Sequence, residues 1–219
     1  MPRALFEKTG NAIYISHLDL MRLFQRAFKR AGLSLTHTQG FNPRPSVSIA
    51  LPMSLGVESL CELLDFELEG EAVSSEEIVS RLNAVLIPGV RVHKVYSEMR
   101  KIKHIAFLEC TLTLEYDSGV PKQAQQRISA LFTQNDIIVE KKSKNGVTQQ
   151  NIIPMIRSIT VEQINQSEIQ LHARICCQNP ALNPMQLSAA ICKYLPDLTP
   201  DFVRCCRVEV YDTNETVFR

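Results

Sequence analysis

From Ser16 to Ala31 the apolar residues Leu20, Leu23, Phe24, Ala27 and Ala31 fall on one face at 100° per residue. Asp19, Arg22, Arg26, Lys29 and Arg30 fall on the other. The pattern predicts an amphipathic helix capped by Ser16, with Asp19 at the positive end of the macrodipole and Gly32 at the C′ position. On either side the period shortens to that of strands. One strand is predicted over Ala4 to Ile15, bent near Gly10-Asn11. A second covers Val47 to Leu55, where Leu51-Pro52 marks an edge or bulge. A third, Leu60 to Glu69, keeps Leu60, Leu64, Phe66 and Leu68 mostly on one face. Ser75 is expected to cap a second helix running to about Leu86, stopped by Pro88-Gly89, and Val90 to Tyr96 makes the last strand.

The second half repeats this order. Ile105 to Tyr116 alternates as a strand, Pro121 to Gln134 reads as a helix, and Ile137 to Lys141 with Val147 onward suggests an inserted hairpin across Asn145-Gly146. Ile156 to Val161 and Glu168 to Cys177 form the central hairpin, Pro184 to Leu195 a helix, and Phe202 to Tyr211 the final strand. The expected fold class is therefore α+β: two tandem ferredoxin-like βαββαβ domains, with antiparallel sheets and helices on one face. The basic connector Glu98 to His104 sets the domains at residues 1–98 and 99–219. Element order alone supports the duplication, because no residue-level repeat accompanies it.

Composition narrows the function classes. A net charge of +1 argues against bulk nucleic-acid binding, which shows as a strongly basic domain, and leaves room for a local basic patch. No apolar run reaches the length of a membrane span and MPRALFEKTG lacks the apolar core of a signal peptide, so the chain is expected to be cytoplasmic, away from membranes. Seven cysteines without CxxC or CxxxCxxC spacing fit reduced thiols and exclude a radical SAM cluster on this chain. Cys176-Cys177 and Cys205-Cys206 end and begin predicted strands flanking that of Cys110, which admits a four-thiolate site. Adjacent strand residues point to opposite faces, however, and small buried thiols are common in cores. The expectation is no metal and no cofactor.

Candidate chemistry gathers between Ser16 and Ser59. The helix stripe is either a solvated face, with Asp19 pairing Arg22, or an anion track, since four cations against one carboxylate leave its field unbalanced. Pro43 and Pro45 stiffen the loop bearing Phe41, Asn42 and Arg44 and hold Arg44 extended. The loop is either a recognition element or a crossover whose Phe41 plugs the core. Glu62 is expected near enough to orient Arg44. His17, with Tyr14, Ser16 and Asp19 nearby, is a candidate general acid or base, or a structural histidine at a helix start.

The stretches FEKTG (Phe6 to Gly10), YISHLDLMR (Tyr14 to Arg22), QGFNPRP (Gln39 to Pro45) and LGVES (Leu55 to Ser59), followed by Glu62, resemble the signature of the radical SAM-associated, or radical SAM-linked, bacterial proteins, a domain of unknown function. The resemblance is concentrated in roughly the first seventy residues, and NIIPMI (Asn151 to Ile156) is the later stretch that shares it. It implies a context: members occur beside or fused to a radical SAM protein with a cobalamin-type domain, often near genes for a ribonuclease and ribosomal proteins. The layout is also similar to that of the CRISPR repeat-processing RNA endonucleases, though their C-terminal glycine-rich loop has no counterpart after Gly146.

Two functions follow. In the first, the chain is a non-enzymatic partner or RNA-substrate adaptor of a radical SAM protein on a separate chain. It then binds RNA or another anionic partner through Arg22, Arg26 and Arg44, with Phe41 stacking and Asn42 hydrogen bonding. In the second, it is an RNA-processing or RNA-modifying enzyme using His17. One outcome is common to both: anaerobically purified chain should contain no stoichiometric iron and sulfide by elemental assay, because its cysteines lack cluster spacing.

Overall fold

The computed structural model describes residues 2–70, 72–97, 100–143 and 146–219. It divides the chain into residues 1–102 with Arg219, and residues 103–218. Glu98 and Met99 of the expected connector, and Asn145 of the expected turn, lie outside the described residues.

The first unit contains β1 (Pro2–Lys8), α1 (His17–Arg30), β2 (Val47–Ile49), β3 (Val57–Phe66), α2 (Ser75–Asn83) and β4 (Val90–Ser97). Its strands lie in the order β4-β1-β3-β2, every pairing antiparallel. Both helices pack on one core with Ala4, Phe6, Leu64, Phe66, Val90 and Val92. Phe6 meets Phe24 of α1 edge to face, 4.8 Å between centroids, and Phe28 lies 4.9 Å from Phe66. The predicted first strand stops at Lys8, and Gly10–Tyr14 forms a 3-10 turn. The predicted second strand shrinks to β2, which ends before Leu51 at φ 49°. β3 starts and ends earlier than expected, at Val57 and Phe66.

Helix α1 ends in a Schellman motif. Leu33 N–H donates to Phe28 O at 2.9 Å and Gly32 N–H to Lys29 O at 3.2 Å, with Gly32 at φ +67°. Ser74, rather than the expected Ser75, caps α2 by accepting from Glu77 N–H. The helix ends at Asn83, whose side-chain amide donates to Val92 O at 2.8 Å and accepts from Val92 N–H at 2.9 Å. Val85 and Leu86 thereby leave the helix, which the sequence pattern continues to about Leu86. Gly89 closes the link from α2 to β4: its O accepts from Thr9 N–H at 2.8 Å, and its φ is +86°.

The second unit contains β5 (Ile105–Glu115), α3 (Ala124–Leu131), β6 (Ile138–Ser143), β7 (Gly146–Asn151), β8 (Ile156–Gln163), β9 (Glu168–Cys176), α4 (Met185–Tyr194) and β10 (Phe202–Asp212). Its main sheet has the order β10-β5-β9-β8, again antiparallel throughout. β6 and β7 form a separate hairpin. Asn151 secures its base: Oδ1 accepts from the N–H groups of Ile137 (3.0 Å) and Ile153 (3.2 Å), and Nδ2 donates to Asp136 at 2.7 Å. Tyr194 Oη accepts from Ile138 N–H at 2.9 Å, tying the hairpin to α4. The chain is α+β, with mostly antiparallel strands and four α-helices among the described residues. No helix among those residues is long and apolar enough to cross a membrane.

A Cβ at position 89 would stand 2.3 Å from Thr9 O, whereas one at position 32 meets nothing within 4 Å. Gly89→Ala should therefore destabilise the first unit by about 3 kcal/mol, clash added to strain, and Gly32→Ala by about 1 kcal/mol from strain alone. Urea titration of the two variants checks the order.

Candidate functional site

Two aromatic contacts hold the inner face of α1, and the same turn-by-turn geometry puts the charged residues outside. Leu20, Phe24, Ala27 and Phe28 are buried, while Asp19, Arg22, Arg26, Lys29 and Arg30 are exposed. Phe28 escaped the sequence reading, and Leu23, expected in the core, is only half-buried. With Ile15, Ala27, Val85 and Ile87, Leu23 lines a cleft of about 350 Å³ between α1 and the segment after α2. Asp19, Arg22, Arg26 and Arg30 line the same cleft.

The charged groups differ in what holds them. Asp19 N–H donates to Ser16 Oγ at 3.2 Å, Ser16 Oγ donates to Asp19 Oδ2 at 2.7 Å, and Arg22 donates to Asp19 Oδ1 at 2.9 Å. The hydrogen bonds from Ser16 and then Arg22 hold the Asp19 carboxyl below its ordinary pKa. Arg26, Lys29, Arg30 and Arg44 make no ion pair among the described residues.

The loop after α1 is braced by its own backbone. Thr38 N–H donates to Arg44 O at 2.8 Å, Arg44 N–H donates to Thr38 Oγ1 at 3.1 Å, and Ser46 N–H donates to Thr36 O at 2.7 Å. Its stem joins the end of β3 through Thr36 N–H to Glu67 O and Glu67 N–H to Ser46 O. At the tip Phe41 is fully exposed (105%), so it does not plug the core. Asn42 and Arg44 are exposed beside it.

The candidate residues do not form one cluster. His17 opens α1, whereas the Phe41 loop departs past its other end; the 14-residue helix between them measures roughly 20 Å. His17 is half-buried and its ring has no hydrogen bond among the described residues. Ser16 and Asp19 are engaged with each other and with Arg22, so neither orients it. Glu62 is 2% exposed, in register with Phe6 inside the sheet, so it cannot serve the exposed Arg44 as expected. A buried strand position overrode proximity in sequence.

The second unit carries a polar network that the sequence reading missed. Arg174 lies 3.9 Å over the Tyr211 ring and pairs with Glu109 and Glu215, both at 3.1 Å. Tyr211 Oη donates to Glu109 at 2.6 Å, and this bond, ahead of Arg174, keeps the Glu109 carboxyl below its ordinary pKa. Arg157 pairs with Glu215, and Arg204 with Glu115 and Glu168. Cross-strand register accounts for one of these pairs, since Glu109 faces Arg174. As for the thiols, no group of three or more His, Cys, Asp or Glu among the described residues could hold a metal.

The chain belongs to the bacterial family described as "Uncharacterized protein conserved in bacteria (DUF2344)", which it matches over residues 2–184. The match runs well beyond the N-terminal stretch that carried the sequence resemblance. No curated protein matches the chain. A chain in the crystal structure of a Cbf5-Nop10-Gar1 complex is similar, with a TM-score of 0.50 at 7% identity over 95% of this chain and 48% of that one. This chain thus spans about half the length of that neighbour, and the likeness concerns the fold alone. The crystal structure of an unknown protein from Galdieria sulphuraria aligns with a TM-score of 0.26 at 12% identity, over 94% of this chain and 97% of that one.

Burial pushes the Cys205 and Cys177 thiols up to about 12, and raises Cys110 further. Thiolate is the nucleophile, so the buried Cys110 and Cys205 should stay unmodified by iodoacetamide at pH 7 in the folded chain and react in denaturant. Mass spectrometry of the labelled chain distinguishes the two.

Proposed function

We propose that this DUF2344 family member is a non-enzymatic RNA-substrate adaptor that binds RNA or another anionic partner through the basic face of α1 and the Phe41 loop. The observation that carries the reading is the tip of that loop: an aromatic ring wholly in solvent near an arginine without an ion pair among the described residues, on a backbone already hydrogen-bonded into place. Burying such a ring against a base gains stacking, and a preformed loop loses little conformational freedom on binding. Arg44 offers a planar fork to phosphate, and Asn42 offers donor and acceptor to a base edge. The free cations Arg26, Lys29 and Arg30 attract a polyanion, in contrast with Arg157, Arg174 and Arg204, which are matched by their own carboxylates.

The architecture supports this use. Each unit's β-α-β-β-α-β order, with the fourth, first, third and second strands side by side, supports reading it as a ferredoxin-like domain, the second with an inserted hairpin. The partner we propose is a radical SAM protein on a separate chain. What supports it is the motif resemblance between Phe6 and Glu62, and the absence of cluster spacing among this chain's own cysteines.

The test is binding of a labelled single-stranded RNA of mixed sequence by the full chain, read by anisotropy across a salt series. Phe41→Ala should weaken binding by about 1–3 kcal/mol through lost stacking. Arg44→Ala should weaken it by about 1.5–3 kcal/mol, with Arg44→Lys restoring only part. Both side chains are exposed, so melting temperatures should scarcely move, in line with a stability change of about 0.5 kcal/mol or less. Lower melting temperatures with unchanged RNA binding would make the loop a folding element and sink the reading.

A further inference from the structure

The cleft beside α1 and the loop past its end present different chemistries. The loop offers an exposed aromatic ring, whereas the uncharged cleft lining is aliphatic: Ile15, Leu23, Ala27, Val85 and Ile87. Base recognition relies on rings or guanidinium planes for stacking, and an aliphatic floor favours leucine-like side chains. Outside the cleft, three more apolar side chains from the neighbouring sequence are exposed. Tyr14 is 68% exposed and Leu18, one turn before Arg22, is 65% exposed. Leu55, next to Gly56 whose N–H donates to Ile13 O at 3.1 Å, is 61% exposed. An aliphatic floor rimmed by charged residues marks a protein contact.

Charge selects the kind of protein. Arg22 is already held by Asp19, while Arg26 and Arg30 are not ion-paired and follow one another at a rise of about 6 Å. Three cations against one carboxylate leave the cleft cationic by two charges. From Asp19 to Arg30 it follows α1 for about 16 Å, three helical turns. We propose that this cleft is the docking groove for an acidic amphipathic helix of a partner protein. Apolar residues of that helix rest on Leu23, Val85 and Ile87, and carboxylates one turn apart meet Arg26 and Arg30. A second copy of this chain does not supply such a helix from α2: it carries Glu76 and Glu77, but its apolar Ile78 and Leu82 are buried in its own core. The proposal rests on the adaptor reading and names the occupant of its helix face.

The probe is a labelled synthetic amphipathic peptide of leucine and glutamate, compared with one in which lysine replaces every glutamate, titrated with the full chain. The leucine/glutamate peptide should bind and the lysine version should not. Arg26→Glu with Arg30→Glu should weaken the first by about tenfold or more and let the second bind; that gain separates lost contact from lost folding. Ile87→Ser, at an exposed position of the cleft wall, should weaken the glutamate peptide without changing the far-ultraviolet circular dichroism. Equal binding of the two peptides, or no response to the double charge reversal, overturns the proposal. If the reversal instead costs RNA binding by about tenfold and leaves the peptide untouched, the groove belongs to RNA: this inference fails and the adaptor reading stands. If the peptide behaves as expected while Phe41→Ala leaves RNA binding unchanged, the groove stands and the RNA reading fails.

Discussion

Everything displayed on the surface of α1 depends on the two aromatic contacts beneath it. Phe24 and Phe28 are one turn apart, and each is locked against a ring in the sheet, Phe6 and Phe66. A helix held at two successive turns cannot rotate about its axis, so residues offset from that pair by two positions must emerge on the opposite side. Arg22, Arg26 and Arg30 form that series. The Schellman motif at Gly32 then fixes where the chain leaves, and the backbone bonds between Thr36 and Ser46 fix the shape of the loop beyond it. A buried apolar contact thus specifies a polar geometry.

The outer face of α1 and the sheet of the second unit treat charge in opposite ways. On that sheet Arg157, Arg174 and Arg204 are each matched by a carboxylate, and Arg174 is also spread over a tyrosine ring. Guanidinium groups neutralised in this way have little left to offer an anion, and the ion pairs stiffen the sheet surface. On α1 one carboxylate, Asp19, is engaged by the N-terminal cap and by Arg22, and Arg26, Lys29 and Arg30 make no ion pair among the described residues. A net charge of +1 for the whole chain conceals this contrast, because the surplus is local.

Periodicity exposed most of the fold. The order of the main strands and helices follows from it, and element ends agree to within a residue or two where a cap or turn residue marks them, as at Ser16, Gly32 and Val90. It failed where tertiary contacts decided. Asn83 stops α2 by bonding to β4 in both directions, which no local pattern announces. Gly10 and Leu51, in left-handed conformations, cut short strands that composition alone would extend. The candidate site was legible in part. The cationic face of α1 and the stiff Phe41 loop could be read directly. Their separation by the length of α1, the burial of Glu62, and the walls Val85 and Ile87 needed three dimensions, since each depends on packing between segments far apart in sequence.

The Phe41 loop is ordered by bonds internal to residues 36–46 and to the end of β3. Its entropy is therefore lost during folding, before any partner arrives. Encounter with a ligand then needs no rearrangement of the loop, and capture rates are set by diffusion and by the long-range field of the free cations. In the proposed adaptor role, Phe41 and Arg44 would control residence time: how long a captured molecule stays. An adaptor of the kind proposed would sample many candidate ligands rapidly, with selection exercised by how quickly the wrong ones depart.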